Sequence, residues 1–207
     1  FEYRINDTWA VRNTMRYSSI EFDGKTVFGG GLQEDLRSLN RFGFGNTFEL
    51  KIFTMDTNAY AHFDSGSVEH SLLFGVDYST SESKIVSGFS FAAPLDVFAP
   101  VYGSSVPDLF IYGNVNQPID QLGIYVQDQM KFASRWIATL ALRQDSTDIT
   151  TDNRLSDSQV DQSDSALTGR VALTYLAESG LAPYFSYSTS FLPVAGVDFY
   201  NRPFDPT

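Results

Sequence analysis

The sequence predicts an all-β fold, an antiparallel up-and-down meander whose strands, about seven in number, form part of a larger transmembrane β-barrel. Apolar and polar residues alternate with a period of two in seven segments spread along the 207 residues, as side chains do on a strand. Short connections alternate with long ones, which is typical of membrane barrels. Aromatic residues, 15% of the chain, gather near the ends of the apolar faces, as rings at a lipid–water interface do.

Each predicted strand has one apolar face and one polar face. In the first, the odd positions from Trp9 to Tyr17 are mostly apolar, whereas Arg12 and Arg16 lie on the opposite face. Asp128 is the exception on an apolar face, and we expect it near a membrane rim. In chain order, the apolar faces are alternate residues of 9–17, 53–63, 70–78, 122–132, 136–142, 167–175 and 185–191. The predicted strands are about 7–22, 42–63, 68–83, 119–132, 135–149, 164–176 and 181–192.

The connections between these strands favour a membrane barrel over a soluble sheet. Short ones are predicted at 5–7, 64–67, 133–135 and 177–180, and long ones at about 23–41, 84–118 and 150–163. Turns on one rim and loops on the other are the arrangement of outer-membrane barrels. A soluble sandwich would instead need Greek-key crossovers. A soluble β-sheet binding module nevertheless stays open as an alternative.

The strand count predicts an incomplete barrel. Residues 1–4 are too few for a spanning strand, which needs about 9–11 residues, and 193–207 read as a loop. Bacterial single-chain barrels close with an even number of strands. We therefore expect residues 1–207 to be one partial barrel domain, with further strands elsewhere in a longer protein.

Composition excludes several kinds of site. The chain has no cysteine, and its 25 acidic against 14 basic residues give a net charge of −11. Disulfides and thiolate sites are excluded, and nucleic acid is not an expected partner because phosphate binding needs basic clusters. His62 and His70 flank one short turn without a third metal ligand at useful spacing. The aspartates of 145–164 fit a solvated hairpin better than a calcium loop. We expect no enzyme and no metal site.

Six segments, in order, carry a resemblance to a known family. They are NDTW at 6–9 with VR at 11–12, MDT at 55–57, HSLLFGVDY at 70–78, GIYVQDQ at 123–129, LRQD at 142–145 and LAPYFSYSTSFLP at 181–193. Together they resemble the TonB-dependent siderophore receptors of the bacterial outer membrane, of the ferrichrome-receptor type. Gln144 departs from the pattern, because the family usually has an aromatic there. The resemblance covers only a middle barrel portion, and nothing matches the plug domain, the TonB-contacting box or the C-terminal strand.

The resemblance implies a function for the intact protein. It would be an outer-membrane receptor that binds ferric siderophores, of the hydroxamate type, and translocates them under TonB force without bond chemistry. The implied partners are a ferric siderophore, the TonB complex through a plug domain outside this chain, and outer-membrane lipid. No cofactor is implied, since iron enters only within the siderophore. A general porin or structural barrel without a plug stays open as an alternative.

Aromatic residues of the long connections are the candidate ligand contacts. The predicted loop 84–118 contains Phe89, Phe91, Phe98, Tyr102, Phe110 and Tyr112, with few charges between them. An exposed aromatic patch needs a partner, and the resemblance implies that such rings contact the iron chelate. The alternative is that these rings pack the loop against itself or against neighbouring loops. The candidate site residues are Phe42, Phe44, Phe98, Tyr102, Phe110 and Tyr112.

Overall fold

The computed structural model describes residues 1–200, 202 and 204, and its regular structure is one antiparallel sheet. The strands follow chain order across the sheet, each paired with the next, so the predicted up-and-down meander is confirmed. Among the described residues there is no helix of the length and apolar character needed to cross a bilayer. The strands are β1 Glu2–Arg4, β2 Trp9–Leu32, β3 Ser38–Ser65, β4 Val68–Asp96, β5 Phe110–Phe132, β6 Trp136–Asn153, β7 Ser158–Tyr175 and β8 Tyr184–Ser188.

Within the residues that the structure describes there are eight strands rather than the predicted seven. Residues 1–4 supply β1, in which Glu2 pairs with Arg12 of β2. The prediction set these residues aside because they are too few to span a bilayer, but pairing does not require a full span. The last predicted strand, 181–192, is reduced to the five residues of β8. β1 and β8 do not pair with each other, so within the described residues the sheet is an open part of a barrel.

The predicted long connections are mostly strand. On the long-connection rim, the strands are joined at 33–37, 97–109 and 154–157, whereas the predicted loops covered 23–41, 84–118 and 150–163. These segments contain glycine, proline, asparagine or aspartate, which are depleted in strands, so they were predicted to be loops. Pairing with the neighbouring strand overrides this propensity, and β2 and β3 stay in register from Trp9 to Gly29. The short turns of the opposite rim are confirmed, with Gly66, Ala133 and Ser134 at positive φ.

The register defines a lipid-facing apolar band next to the short turns. Residues paired across strands share a face, and the outward face is apolar for about 9–11 residues from that rim, the length of a spanning strand. The band comprises alternate residues of 9–17, 53–63, 70–78, 122–132, 136–142 and 167–175. Beyond it the outward face becomes charged, as at Glu21, Asp23, Glu49 and Lys51.

The hairpins extend far beyond this band. β3 has 28 residues, which span about 90 Å at about 3.3 Å per residue. Even when tilted by about 40°, such a strand exceeds the roughly 30 Å hydrocarbon core of a bilayer. Because the band lies at the short-turn end, the excess projects entirely from the other side, which in outer-membrane barrels is extracellular.

Candidate functional site

Seven aromatic rings form one cluster across the projecting parts of β2, β3, β4 and β5. Ring centroids are 5.7 Å apart for Phe28–Phe42 and for Phe42–Phe91, and 5.8 Å for Phe89–Phe91 and for Phe89–Phe110. The Tyr112 ring centroid lies 6.3 Å from that of Phe44 and 6.2 Å from that of Phe89. These separations suit tilted and edge-to-face aromatic pairs. The aromatic cluster consists of Phe28, Phe42, Phe44, Phe89, Phe91, Phe110 and Tyr112.

The aromatic cluster lies on the lumenal face. Pairing between β3 and β4 is continuous from Arg41 to Ser65, so Phe42 and Phe44 share a face with Asp56, opposite the apolar band. Phe44 lies about 70 Å along β3 from Ser65, again at about 3.3 Å per residue. The rings therefore line the inner wall of the projecting hairpins, beyond the bilayer.

The lumenal wall around the cluster has no formal charge. Lumenal positions of β2 over 18–30, β3 over 42–54, β4 over 79–91 and β5 over 113–121 contain no Asp, Glu, Lys or Arg. The same strand segments place their charged side chains on the outward face. Several rings are open to solvent, with Phe91 70% and Tyr112 50% exposed. An exposed, uncharged aromatic surface of this kind suits an amphipathic ligand without strong charge.

Four of the six predicted site residues belong to the aromatic cluster. Phe42 and Phe44 lie on β3, and Phe110 and Tyr112 lie on β5 rather than in a loop. The structure does not bring the remaining two into ring contact with it: Phe98 and Tyr102 lie in the 97–109 connection and are highly exposed. The Phe98 ring instead faces the Arg37 guanidinium, 6.0 Å from the ring centroid.

Sequence reasoning missed part of the cluster. It did not consider Phe28, because residues 23–41 were predicted to be a loop. It placed Phe89 and Phe91 in a loop and did not include them in the site. The available signal was the two-residue spacing of Phe42 with Phe44 and of Phe89 with Phe91, which puts each pair on one strand face.

The connection after β4 turns towards the outward face. Arg37 Nε donates to Asp96 Oδ2 at 2.6 Å, and Asp96 Oδ1 accepts from the backbone N–H groups of Phe98 and Ala99 at 2.9 and 3.1 Å. The Arg37 hydrogen bond is the largest cause that lowers the pKa of Asp96 below its ordinary value, followed by the Phe98 N–H. Further along, Leu109 lies over Gly45, where a Cβ atom would collide with its side chain.

An ionic network crosses the lumenal wall closer to the bilayer. Arg143 donates to Asp77 at 2.5 and 3.0 Å and to Asp145 at 2.6 to 2.9 Å. Tyr125, whose ring lies 5.7 Å from the Arg143 guanidinium, donates to Asp56 at 2.7 Å. Arg143 thus binds two carboxylates, and Tyr125 holds a third on the same wall. Sequence analysis placed these residues on polar faces but did not connect them.

The residues considered for metal binding are dispersed. His62 is on the lumenal face, with Nδ1 3.0 Å from Ser71 Oγ, whereas His70 is on the outward face beside Asp128. Asp161, in the acidic β6–β7 hairpin, accepts from Thr150 Oγ1 at 2.7 Å. Across the part of the chain that the structure describes, no three His, Asp or Glu side chains are grouped to hold a metal ion.

Comparison with known proteins agrees with this architecture. A family model described as TonB dependent receptor-like, beta-barrel matches residues 1–207. The ferrioxamine B receptor of Salmonella typhimurium (strain LT2) is 31% identical over 205 residues, covering 99% of this chain and 29% of the relative. The ferrichrome outer membrane transporter/phage receptor of Escherichia coli (strain K12) is 28% identical over 243 residues, covering 100% of this chain and 31% of the relative.

A solved structure has the same fold. The ferric-catecholate import receptor Fiu of Escherichia coli, in its closed form, superposes with a TM-score of 0.81 at 20% identity, covering 99% of this chain and 35% of that one. At this identity the likeness shows the fold alone. The chain spans about 29% of the length of the first curated relatives that it matches. The family-model match over every residue shows that the chain belongs to the TonB-dependent receptor β-barrel family of the bacterial outer membrane.

Proposed function

We propose that the intact protein is a receptor that takes up ferric siderophores of the hydroxamate type through the outer membrane, by binding followed by TonB-driven translocation. The observation that carries the proposal is the aromatic cluster on a lumenal wall without formal charge. The chain would be one part of the barrel domain of a longer receptor. The remaining strands, and a plug domain that contacts the TonB complex, would lie outside residues 1–207.

The charge of the wall favours hydroxamate chelates over catecholate chelates. Three hydroxamate groups, each with one negative charge, neutralise Fe³⁺, whereas three catecholates leave the complex with three negative charges. Desolvating such an anion against uncharged aromatic rings is unfavourable because no cation compensates it.

The names of the relatives also support a hydroxamate chelate as the ligand. Two matched relatives are named ferrioxamine receptors and a third is named a ferrichrome transporter, and both ligands are hydroxamates. Another relative, at 26% identity, is a catecholate siderophore receptor, so family membership alone does not define the chelate. The proposed preference for hydroxamate over catecholate chelates therefore rests on the uncharged lumenal wall of this chain. The relatives named in the comparisons are receptors and transporters, and we propose no catalytic role.

The candidate residues would act at two positions. Phe42, Phe44, Phe110 and Tyr112 would contact the chelate directly as members of the aromatic cluster. Phe98 and Tyr102 stay a prediction: their connection runs to the outward face, so we propose that they reach the chelate only after this connection moves. Iron would enter as cargo within the siderophore, without a resident cofactor.

Binding to the full-length receptor tests the proposal. Purified receptor is titrated with a panel of iron-loaded siderophores, and bound ligand is followed by quenching of intrinsic fluorescence. We expect Tyr112→Ala to weaken binding of a ferric trihydroxamate by about tenfold, the effect of removing one good aromatic contact. Tyr17→Ala is the matched control, because Tyr17 is a similarly exposed ring on the outward face. Failure of the receptor to bind any ferric siderophore would reject the function.

A further inference from the structure

The chain after β8 folds back over the lumenal wall. Its described residues from 193 to 204 form a segment that we call the inner strap. Within it, Gly196 and Val197 line a small cavity of about 70 Å³ together with four residues of β6 and β7, which are Ile149, Thr151, Val160 and Gln162. These four side chains are lumenal, because Ile149 pairs with Ile119 of β5 and with Gln162 of β7.

Gln162 ties both ends of the inner strap to the wall. Its Nε2 group donates to the carbonyl oxygens of Val194 and Phe204, both at 3.1 Å, and to Asp164 Oδ2 at 2.7 Å. The residue is only 8% exposed, although it lies on the open face of a sheet. Because a buried amide donor without acceptors is costly, Gln162 holds the inner strap against the wall.

The inner strap is closed by its own hydrogen bonds. Asp198 Oδ1 accepts from the backbone N–H groups of Tyr200 and Arg202 at 2.8 and 2.9 Å, and the Phe204 N–H donates to Gly196 O at 3.2 Å. The Phe204 ring packs on Gly196, where a Cβ atom would lie 3.3 Å from it. Asp198 and Arg202 carry opposite charges, so the described strap adds no net charge to the wall.

The tip of the inner strap exposes two aromatic rings. Phe199 and Tyr200 form an edge-to-face pair, with ring centroids 5.5 Å apart and planes at 84°. They are 96% and 74% exposed, so neither ring is packed on the wall. Since the strap lies on the lumenal face, these rings are open to the lumen. An exposed aromatic pair is a liability unless it has a partner, which indicates a ligand contact.

The inner strap is anchored between the aromatic cluster and the Arg143 network. Tyr112 is 20 residues from the end of β5 at Phe132, whereas Gln162 is 13 residues from the end of β7 at Tyr175. At about 3.3 Å per residue and about 40° of tilt, they lie about 51 and 33 Å from the short-turn rim. Asp77 of the network is nearer still, at about 23 Å. A ligand moving inwards from the cluster therefore reaches the level of the strap first.

We propose that Phe199 and Tyr200 form a second contact for the ferric trihydroxamate, reached after it leaves the aromatic cluster. Gln162 is the positioning residue that holds these rings in the lumen. The strap suits the same ligand as the cluster, because it presents aromatic surface without net charge. The two sets of rings lie at different levels, so they act in sequence rather than as one pocket. This inference rests on the proposed function and adds a translocation step to it.

Uptake by cells that express the full-length receptor tests the two rings. Initial rates are measured with a radioiron-loaded trihydroxamate over a range of concentrations, and binding is measured on the purified receptor. We expect the double variant Phe199→Ala, Tyr200→Ala to lower the maximal rate about tenfold, the effect of one good aromatic contact. The half-saturating concentration and the binding affinity should stay within about twofold, because the aromatic cluster still captures the chelate. Tyr187→Ala, which removes an exposed outward ring of β8, is the matched control and retains uptake.

Gln162→Glu tests the positioning role. A carboxylate cannot donate to the carbonyl oxygens of Val194 and Phe204, so the inner strap should leave the wall and the maximal rate should fall similarly. Adding Gln162→Glu to the double alanine variant should cause no further loss, because both changes remove the same contact. A merely structural role of Gln162 would instead add its own loss. Gln159→Glu, at an exposed outward position of the same strand, is the matched control.

Normal binding with an unchanged uptake rate in the double alanine variant would overturn this inference and leave the proposed function intact. Failure of the wild-type receptor to bind any ferric siderophore would reject the proposed function itself. Heat-dependent gel migration checks that each variant is a folded barrel. Should the alanine variant fail to fold, Phe199→Leu with Tyr200→Leu provides the test, because leucine keeps apolar bulk without a ring; unchanged uptake in that variant would equally reject the contact.

Discussion

Alanine at Gly123 is expected to displace the guanidinium that joins β4, β5 and β6 on the lumenal wall. A Cβ atom at this position would lie 2.6 Å from Arg143 Cζ and 3.0 Å from Asp77 Oδ2, and it would also overlap Arg143 Nη2. Arg143 has little freedom to yield, because its hydrogen bonds to Asp77 and Asp145 hold it from both sides. Gly123 is therefore required by a close approach rather than by backbone conformation.

The magnitude follows from the bonds that Arg143 must give up. Moving the guanidinium away from Gly123 breaks both bonds to Asp77, at 2.5 and 3.0 Å, and leaves a partly buried carboxylate without its cation. Losing this partly exposed ion pair as a whole, with both of its hydrogen bonds, costs about 2 kcal/mol, and overpacking adds about 1 kcal/mol. We expect Gly123→Ala to lower the free energy of unfolding by about 3 kcal/mol.

Equilibrium unfolding of the full-length receptor in urea measures this change. Gly113→Ala, on the same face of β5, is the matched control, because its Cβ would meet Ser87 Cβ at an ordinary 3.5 Å. We expect the control to be neutral or more stable by about 0.5 kcal/mol, since glycine weakens a strand. If Gly123→Ala and Gly113→Ala have equal midpoints, the close approach of Arg143 does not restrict this position. In an Arg143→Met background, we expect the cost of Gly123→Ala to disappear.

Two further predictions concern the 97–109 connection. Asp96→Asn removes the charge that Arg37 binds, so limited proteolysis should cut 97–109 faster than in the wild type. Because the pKa of Asp96 is lowered, the Arg37–Asp96 ion pair is fully present above the ordinary aspartate pKa of about 3.9 and is lost only as pH falls through the lowered value. Faster cleavage of the wild type already at a higher pH would contradict this. Gly45→Ala pushes Leu109 off the outward wall, so it too should speed cleavage without lowering the unfolding midpoint by more than about 1 kcal/mol.

The fold was largely predictable because the membrane imposes a pattern that sequence displays directly. Lipid on one side and water on the other require period-two alternation, and this alternation located the band residues of every spanning strand correctly. The projecting parts were not predictable in the same way. There the outward face is charged and the lumenal face aromatic, and segments such as 24–31 contain so much glycine that they read as loop.

The candidate site was predictable in composition but not in geometry. Phe42 and Phe44 were identified from their position at the mouth, but their partners depend on register. Phe28 meets Phe42 only because β2 and β3 stay paired to Gly29, and no local feature of the sequence shows this. The same limit applies to His70 and Asp128, which are 58 residues apart and become one pair through the β4–β5 register.

Competition between two chelates of different charge tests the central claim most directly. The full-length receptor is loaded with a neutral ferric trihydroxamate and challenged with a ferric tris-catecholate, which carries three negative charges. An uncharged aromatic wall predicts that the trihydroxamate binds and that the tris-catecholate fails to displace it at a hundredfold excess. Tighter binding of the tris-catecholate would contradict the account.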